Sequence, residues 1–249
     1  EIIIDNPYLS AVFKPSRGGT MVELSLNKFN FSATDTLTRR KEGYHLKLDK
    51  AVTPDQSQKT TSIHDLVLAK EKGLKELLVE DWYLKRCFID HFFNGEVDFD
   101  TFRTGVFRED GDFVLEPYQY LLDKKSGEVV LTREGHLWRP AGVADLRIIK
   151  RFDFIETEGR IDITYEISAL SDDAVDVNFA IENNFNMQAG HDDSRYVLID
   201  GEKPTDAYLD SSQEHPESAA YAMIDTSRSL ALGLKSDTRC DIWHLPIFT

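Results

Sequence analysis

A row of amides and carboxylates follows one of the alternating stretches of this chain. Asn178, Glu182, Asn184 and Asn186 would project from a single face if a strand ran on past Ile181. Amides and carboxylates supply the donors and acceptors that sugar hydroxyls match, so the row is a candidate carbohydrate-binding face. The competing reading is a solvated sheet face. Trp138 and Trp243 are aromatic candidates for stacking on a sugar ring, with core or interface packing as their alternative. His64, beside Asp65, completes the set of candidate carbohydrate contacts. His91 stands between Asp90 and Phe92, a setting that suits a buried, hydrogen-bonded imidazole. A carboxylate base and a histidine acid meeting at an anomeric carbon would make a mutarotase or epimerase. Glu182 with His64 or His91 are the residues that could serve.

Other chemistries find less support. With 44 acidic residues, a catalytic carboxylate pair cannot be singled out, because that chemistry depends on a separation in space. The chain contains no HExxH, no spaced cysteine set, no GxGxxG, no GxxxxGK[ST] and no GxSxG. Acidic loops at Asp172-Asp173 and His191-Asp192-Asp193 could attract calcium, but such clusters are more often simply solvated. No catalytic residue, metal ligand or cofactor is assigned.

The elements that must position these residues are strands. Period-two alternation runs through residues 146–156, 161–167 and 175–181, with turns at 157–159 and 171–173. Further strands are expected at 102–107, 113–122, 129–131, 196–199, 219–225, 229–234 and 240–244. The chain opens with a hairpin: residues 8–13, a turn carrying Pro15, Arg17, Gly18 and Gly19, then residues 21–26. A polar run from Asn27 to His45 follows, suited either to touching sugar or to bracing a domain junction. Only residues 62–86 show helical spacing, with Ser62 as N-cap and Gly73 dividing two short helices. Strands without regular intervening helices predict a mainly β fold, a large antiparallel sandwich with a short helical insertion near 62–86.

Composition narrows the partners. Lys plus Arg number 29 against 44 Asp plus Glu, a formal charge of −15 that repels nucleic acid and anionic membranes. No apolar run is long enough to span a bilayer. Two cysteines, Cys87 and Cys240, argue against a disulfide framework and for a reducing compartment, here taken as cytoplasmic. The 249 residues fit one β-sandwich domain, and a start at Glu1 without Met suggests a fragment of a longer enzyme.

The segment from Asn6 through Pro15, Gly18 and Gly19 to Leu24 resembles the opening of the C-terminal β-domain of glycoside hydrolase family 57 α-amylases and 4-α-glucanotransferases. So do Asn30, the stretch from Asp35 to His45, residues 62–65, residues 84–86 and residues 89–93. The resemblance implies a galactose-mutarotase-like supersandwich that accompanies a catalytic barrel in the same polypeptide. It implies an α-1,4-glucan as substrate of the whole protein, with no organic cofactor and with the catalytic carboxylates on the barrel. The leading expectation is therefore an accessory, non-catalytic domain that packs on the barrel and holds carbohydrate. A sugar mutarotase and a purely structural module with an apolar patch at residues 245–248 stay open beside it.

Overall fold

The computed structural model describes residues 1–40, 79–93, 95 and 97–247. They form thirteen strands in three antiparallel sheets. The first sheet has six strands. β1 (Ile2–Asp5), β2 (Leu9–Lys14) and β3 (Thr20–Leu26) are its opening meander, and β4 (Phe31–Ser32) is a short addition to β3. β5 (Cys87–Phe93) and β10 (Asn178–Asn183) extend it on the other side of β3. The second sheet runs β6 (Gln119–Leu122), β7 (Val129–Arg139), β8 (Gly142–Ile155) and β9 (Arg160–Ala169). The third joins β11 (Arg195–Ile199), β12 (Gln213–Asp225) and β13 (Leu230–His244).

The expected mainly β, antiparallel sandwich is the observed class. Alternation explains most of it: β2 buries Leu9, Ala11 and Phe13, and β8 buries Leu146, Ile148, Lys150, Phe152 and Phe154. These inner faces meet in one core. Phe13 and Phe152 lie 4.7 Å apart between ring centroids, and Phe88 reaches the same Phe152 at 5.0 Å.

β5 differs from the other strands, since all seven of its residues are buried. Its core face carries Phe88, Asp90 and Phe92. Its other face carries Ile89, His91 and Phe93 under a layer of loops that includes Tyr83, Phe107 and Val114. Phe88 adopts a left-handed conformation (φ 61°), and the register with β10 shifts nearby, between Glu182 and Asn183. The Phe88 amide donates to Asn183 Oδ1 at 3.1 Å, which offsets part of the cost of this backbone. Asp90 reaches across the sandwich to Lys150 Nζ at 2.8 Å, and both side chains are fully buried. Lys150 also donates to the carbonyls of Gly18 (3.2 Å) and Phe88 (3.0 Å), while Tyr118 Oη donates to Asp90 at 2.6 Å.

Several expected elements are corrected. The strand expected at 102–107 is instead a one-turn helix, α1 (Phe99–Arg103), set by a capping box in which Asp98 and Thr101 exchange hydrogen bonds. The two strands expected at 229–234 and 240–244 are one strand, β13. The strand expected at 113–122 is confined to β6, and that at 175–181 starts only at Asn178. Of the helical insertion expected near 62–86, residues 79–86 are irregular chain without helix. The remainder, with Ser62, His64 and Gly73, lies outside the described residues, as does His45.

Replacing Phe152 with Ala should lower stability by about 3–5 kcal/mol, because the cavity would open between two packed sheets. Urea denaturation checks this, with Asp145→Ala on the exposed face as a control expected to stay within about 0.5 kcal/mol.

Candidate functional site

Among the described residues, a dense ionisable cluster surrounds His91. The pleat of β5 turns this residue away from Lys150 and toward the loop layer, where the side chain is wholly buried. Its Nδ1 lies 2.7 Å from Glu109 Oε2 and its Nε2 lies 3.0 Å from Glu182 Oε2. Glu109 is fixed by the Phe92 amide at 2.7 Å and the Gly111 amide at 3.2 Å, both on Oε1. Glu182 leans in from β10. Its Oε2 also accepts from Tyr83 Oη at 2.5 Å, and its Oε1 accepts from Lys85 Nζ at 2.8 Å and Asn184 Nδ2 at 2.9 Å. Aromatic rings close the cluster: Phe93 stacks on the imidazole at 5.2 Å, and Phe102 and Phe107 meet it edge-on at 5.8 and 5.9 Å. Beyond Lys85, Asp81 is held by Arg39 through a 2.7 Å ion pair.

Electrostatics follow from this wiring. Burial pushes the His91 imidazolium down, but its hydrogen bonds to Glu109 and Glu182 outweigh that and raise its pKa to about 9. Burial pushes the Glu182 carboxyl up, and the charge of Lys85 with the bond from His91 overcomes it, leaving the group well below the usual carboxylate range. Burial, then the neighbouring Glu182 charge, raises the Tyr83 phenol well above its ordinary value. At neutral pH His91 is therefore held as the imidazolium and Glu182 as the carboxylate.

Glu182 and His91 thus meet as a proton-transfer pair would, but their surroundings oppose that use. Each Glu182 oxygen already accepts two hydrogen bonds from within the chain. The side chains of His91 and Glu182 are 0% and 10% exposed, which leaves no approach for an anomeric carbon. A general base works best with a pKa near the working pH, and this pair is driven apart from it in both directions. The arrangement is suited to bracing β5, β10 and the loop layer.

The remaining sugar-contact candidates lie at several places. Asn178 is exposed at the start of β10. The strand ends at Asn183 after its register shift, so Asn184 and Asn186 are not carried on its regular face. Asn184 is buried and also donates to the Arg86 carbonyl at 2.7 Å. Asn186 donates to the Asp35 carbonyl at 2.9 Å and accepts from the Gln188 amide at 2.9 Å. Trp243 packs on Phe99 and Phe102 at 5.9 and 5.7 Å, beside the His91 cluster. Trp138 is 43% exposed on β7, paired with Val143 and lying 6.0 Å from the His136 ring. His136 is itself exposed, 3.1 Å from Asp112 and 3.7 Å from Asp145. His64 lies outside the described residues.

Of the two acidic loops considered for calcium, the one at His191-Asp192-Asp193 has its polar groups engaged within the chain, while Asp172 and Asp173 are exposed. His191 stacks on Tyr208 at 3.9 Å and bonds Asp210 at 3.2 Å, and Asp193 accepts from Tyr208 Oη at 2.7 Å. Among the described residues, no group of three or more His, Cys, Asp or Glu side chains is placed to hold a metal ion. Sequence reading did not find Tyr83 and Lys85, which lie 99 and 97 residues from the Glu182 they bond, or Glu109, 18 residues from His91. The signal for them was a lone histidine and aspartate inside the apolar run Cys87–Phe93.

The family model described as Alpha-amylase/4-alpha-glucanotransferase, C-terminal, matches residues 1–249. The chain belongs to this family. Alpha-amylase 1 of Dictyoglomus thermophilum is 29% identical over 203 residues, 82% of this chain and 28% of that protein. The 4-alpha-glucanotransferase of Thermococcus litoralis is 32% identical over 158 residues, 63% of this chain and 23% of that protein. The crystal structure of the Thermococcus litoralis 4-alpha-glucanotransferase shares the fold, with a TM-score of 0.73 at 24% identity over 99% of this chain and 31% of that one. The chain thus spans less than a third of the length of these relatives. Among the described residues, no helix is long and apolar enough to cross a membrane.

The buried cluster makes stability depend on pH from both sides. Glu182, with its lowered pKa, contributes fully above about pH 4.5, and that share is lost as pH falls through its folded value. His91 contributes fully below pH 6.5, and its share is lost as pH rises through about 9. The melting temperature should therefore peak between these limits and fall toward alkaline pH. Glu182→Ala, which strands His91 and Lys85 without this carboxylate, should cost about 3–5 kcal/mol in denaturant titrations near neutral pH.

Proposed function

We propose that this chain is one accessory, non-catalytic β-domain of a longer, cytoplasmic α-1,4-glucan-processing polypeptide. Its partner is the catalytic barrel of the same polypeptide, which supplies the carboxylates for hydrolysis or transfer. The observation that carries this reading is the family match along the whole chain. The His91–Glu182 pair supports it from inside: its carboxylate is saturated and its imidazole is sealed, so the chain's best-placed acid–base pair acts as a brace.

The domain also holds carbohydrate in this reading, and the face around Trp138 suits that role best. Trp138 presents an exposed indole from a rigid strand, with His136 and Asp145 exposed beside it as hydrogen-bonding groups. A sugar ring stacks its apolar face on such a surface while its hydroxyls meet the polar rim. Asn178, exposed on β10, remains a separate candidate.

Calorimetric titration of the domain with maltooligosaccharides tests this. Saturable binding is expected, weakened about tenfold by Trp138→Ala and little changed by Trp243→Phe. Absence of binding up to about 10 mM would leave the domain with packing on the barrel alone.

A further inference from the structure

The turn between β2 and β3 is held in place with unusual completeness. The Gly18 amide donates to the Glu116 carbonyl at 3.0 Å, and the Tyr118 amide donates to the Pro15 carbonyl at 2.8 Å. Gly18 has φ 67°, and a Cβ there would lie 2.2 Å from the Val114 carbonyl oxygen. Only glycine fits. The pinned turn fixes where Arg17 leaves the backbone. Opposite it stands Arg86, whose carbonyl is gripped by the Asn184 amide at 3.2 Å and by Asn184 Nδ2 at 2.7 Å. Thr20, 2% exposed, joins the two: its hydroxyl donates to the Arg17 carbonyl at 3.0 Å and accepts from Arg86 Nη1 at 3.4 Å.

Arg17, Arg86 and Thr20 line one shallow, open pocket with Tyr83, Leu84 and Leu115, whose enclosed volume is only about 30 Å³. Neither guanidinium has a carboxylate partner among the described residues. This is notable in a chain with 44 acidic and 29 basic residues. Nearby cations are treated differently: Arg39 is neutralised by Asp81 and Lys85 by Glu182. Arg86 is weakened as a cation first by its burial and then by the charge of Arg17. Two like charges facing one partly buried pocket cost free energy that an anion would return.

We propose that Arg17 and Arg86, tethered through Thr20, form a binding site for a phosphoryl group, either free phosphate or the phosphate of a phosphorylated sugar. A dianion neutralises both guanidiniums, whereas a single carboxylate leaves one charge over. The planar fork of each arginine can take two oxygens of a tetrahedral group. The pocket is open, so the group sits at the mouth and exchanges readily. This proposal stands apart from carbohydrate binding at Trp138 and does not depend on it.

The test uses the full polypeptide that carries this domain, titrated with inorganic phosphate and separately with glucose 1-phosphate by calorimetry and ³¹P line broadening. Saturable binding is expected, reduced about tenfold by Arg17→Ala and by Arg86→Ala and unchanged by Arg151→Ala. Tighter binding of glucose 1-phosphate than of phosphate supports a sugar-borne phosphoryl group; equal binding supports free phosphate. Arg17 is exposed on its turn, so Arg17→Ala keeps the test decisive even where Arg86→Ala perturbs folding. Absence of saturable binding, or binding indifferent to Arg17→Ala, overturns the proposal. A carboxylate from elsewhere in the polypeptide that fills the pocket would give the first of these results.

Discussion

Asp90 and His91 are neighbours on one strand, so the pleat sends them to opposite faces, and both faces are covered. Each therefore needs its own buried counter-charge. Asp90 finds Lys150 across the sandwich at 2.8 Å, and His91 lies between Glu109 and Glu182 on the loop side. Much of the fold serves these two demands. Lys150 ties β8 to the carbonyls of Gly18 and Phe88, and so to the opening hairpin and to β5 itself. Glu182 draws β10, Tyr83 and Lys85 around the imidazole. Such buried pairs add little net stability compared with an apolar core of the same shape, but losing one partner is severe. Their principal effect is to make one arrangement of strands acceptable.

What the sequence reveals depends on how many faces of an element are covered. β8 and β9 each have one wet face, so their alternation could be read directly. The opening hairpin was equally plain, since its turn residues stand between two alternating runs. β5 is dry on both faces; its apolar run has no period, and no strand was expected there. A strand was expected at 102–107, a short span that holds Phe102, Val106 and Phe107. The decisive local signal was instead Asp98 with Thr101, a helix start. In β13, residues 237–241 are exposed on both sides, so polarity interrupted the pattern without interrupting the strand.

The site was legible in part. Glu182 and His91 could be named together because a carboxylate and a histidine stood out within otherwise apolar or alternating runs. Their separation of 91 residues hid the contact itself, and with it Glu109 and the donors from Tyr83 and Lys85. The row expected from Asn178 to Asn186 rested on an unbroken pleat, which the register shift at Glu182 and Asn183 interrupts. Beyond that shift, Asn184 and Asn186 serve the main chain of other segments. Polar spacing in a sequence reports a shared face only while the strand stays regular.

The left-handed Phe88 lies just ahead of Asp90 and His91, where the pairing with β10 changes phase. Were β5 to slip by one residue, every side chain would change face. Asp90 would then confront the carboxylates of Glu109 and Glu182, and His91 would confront the ammonium of Lys150. Both faces would hold like charges in a dry interior, so the error is penalised twice. The alternating signs along this one strand thus work as a parity check, and Phe88 sets the bit.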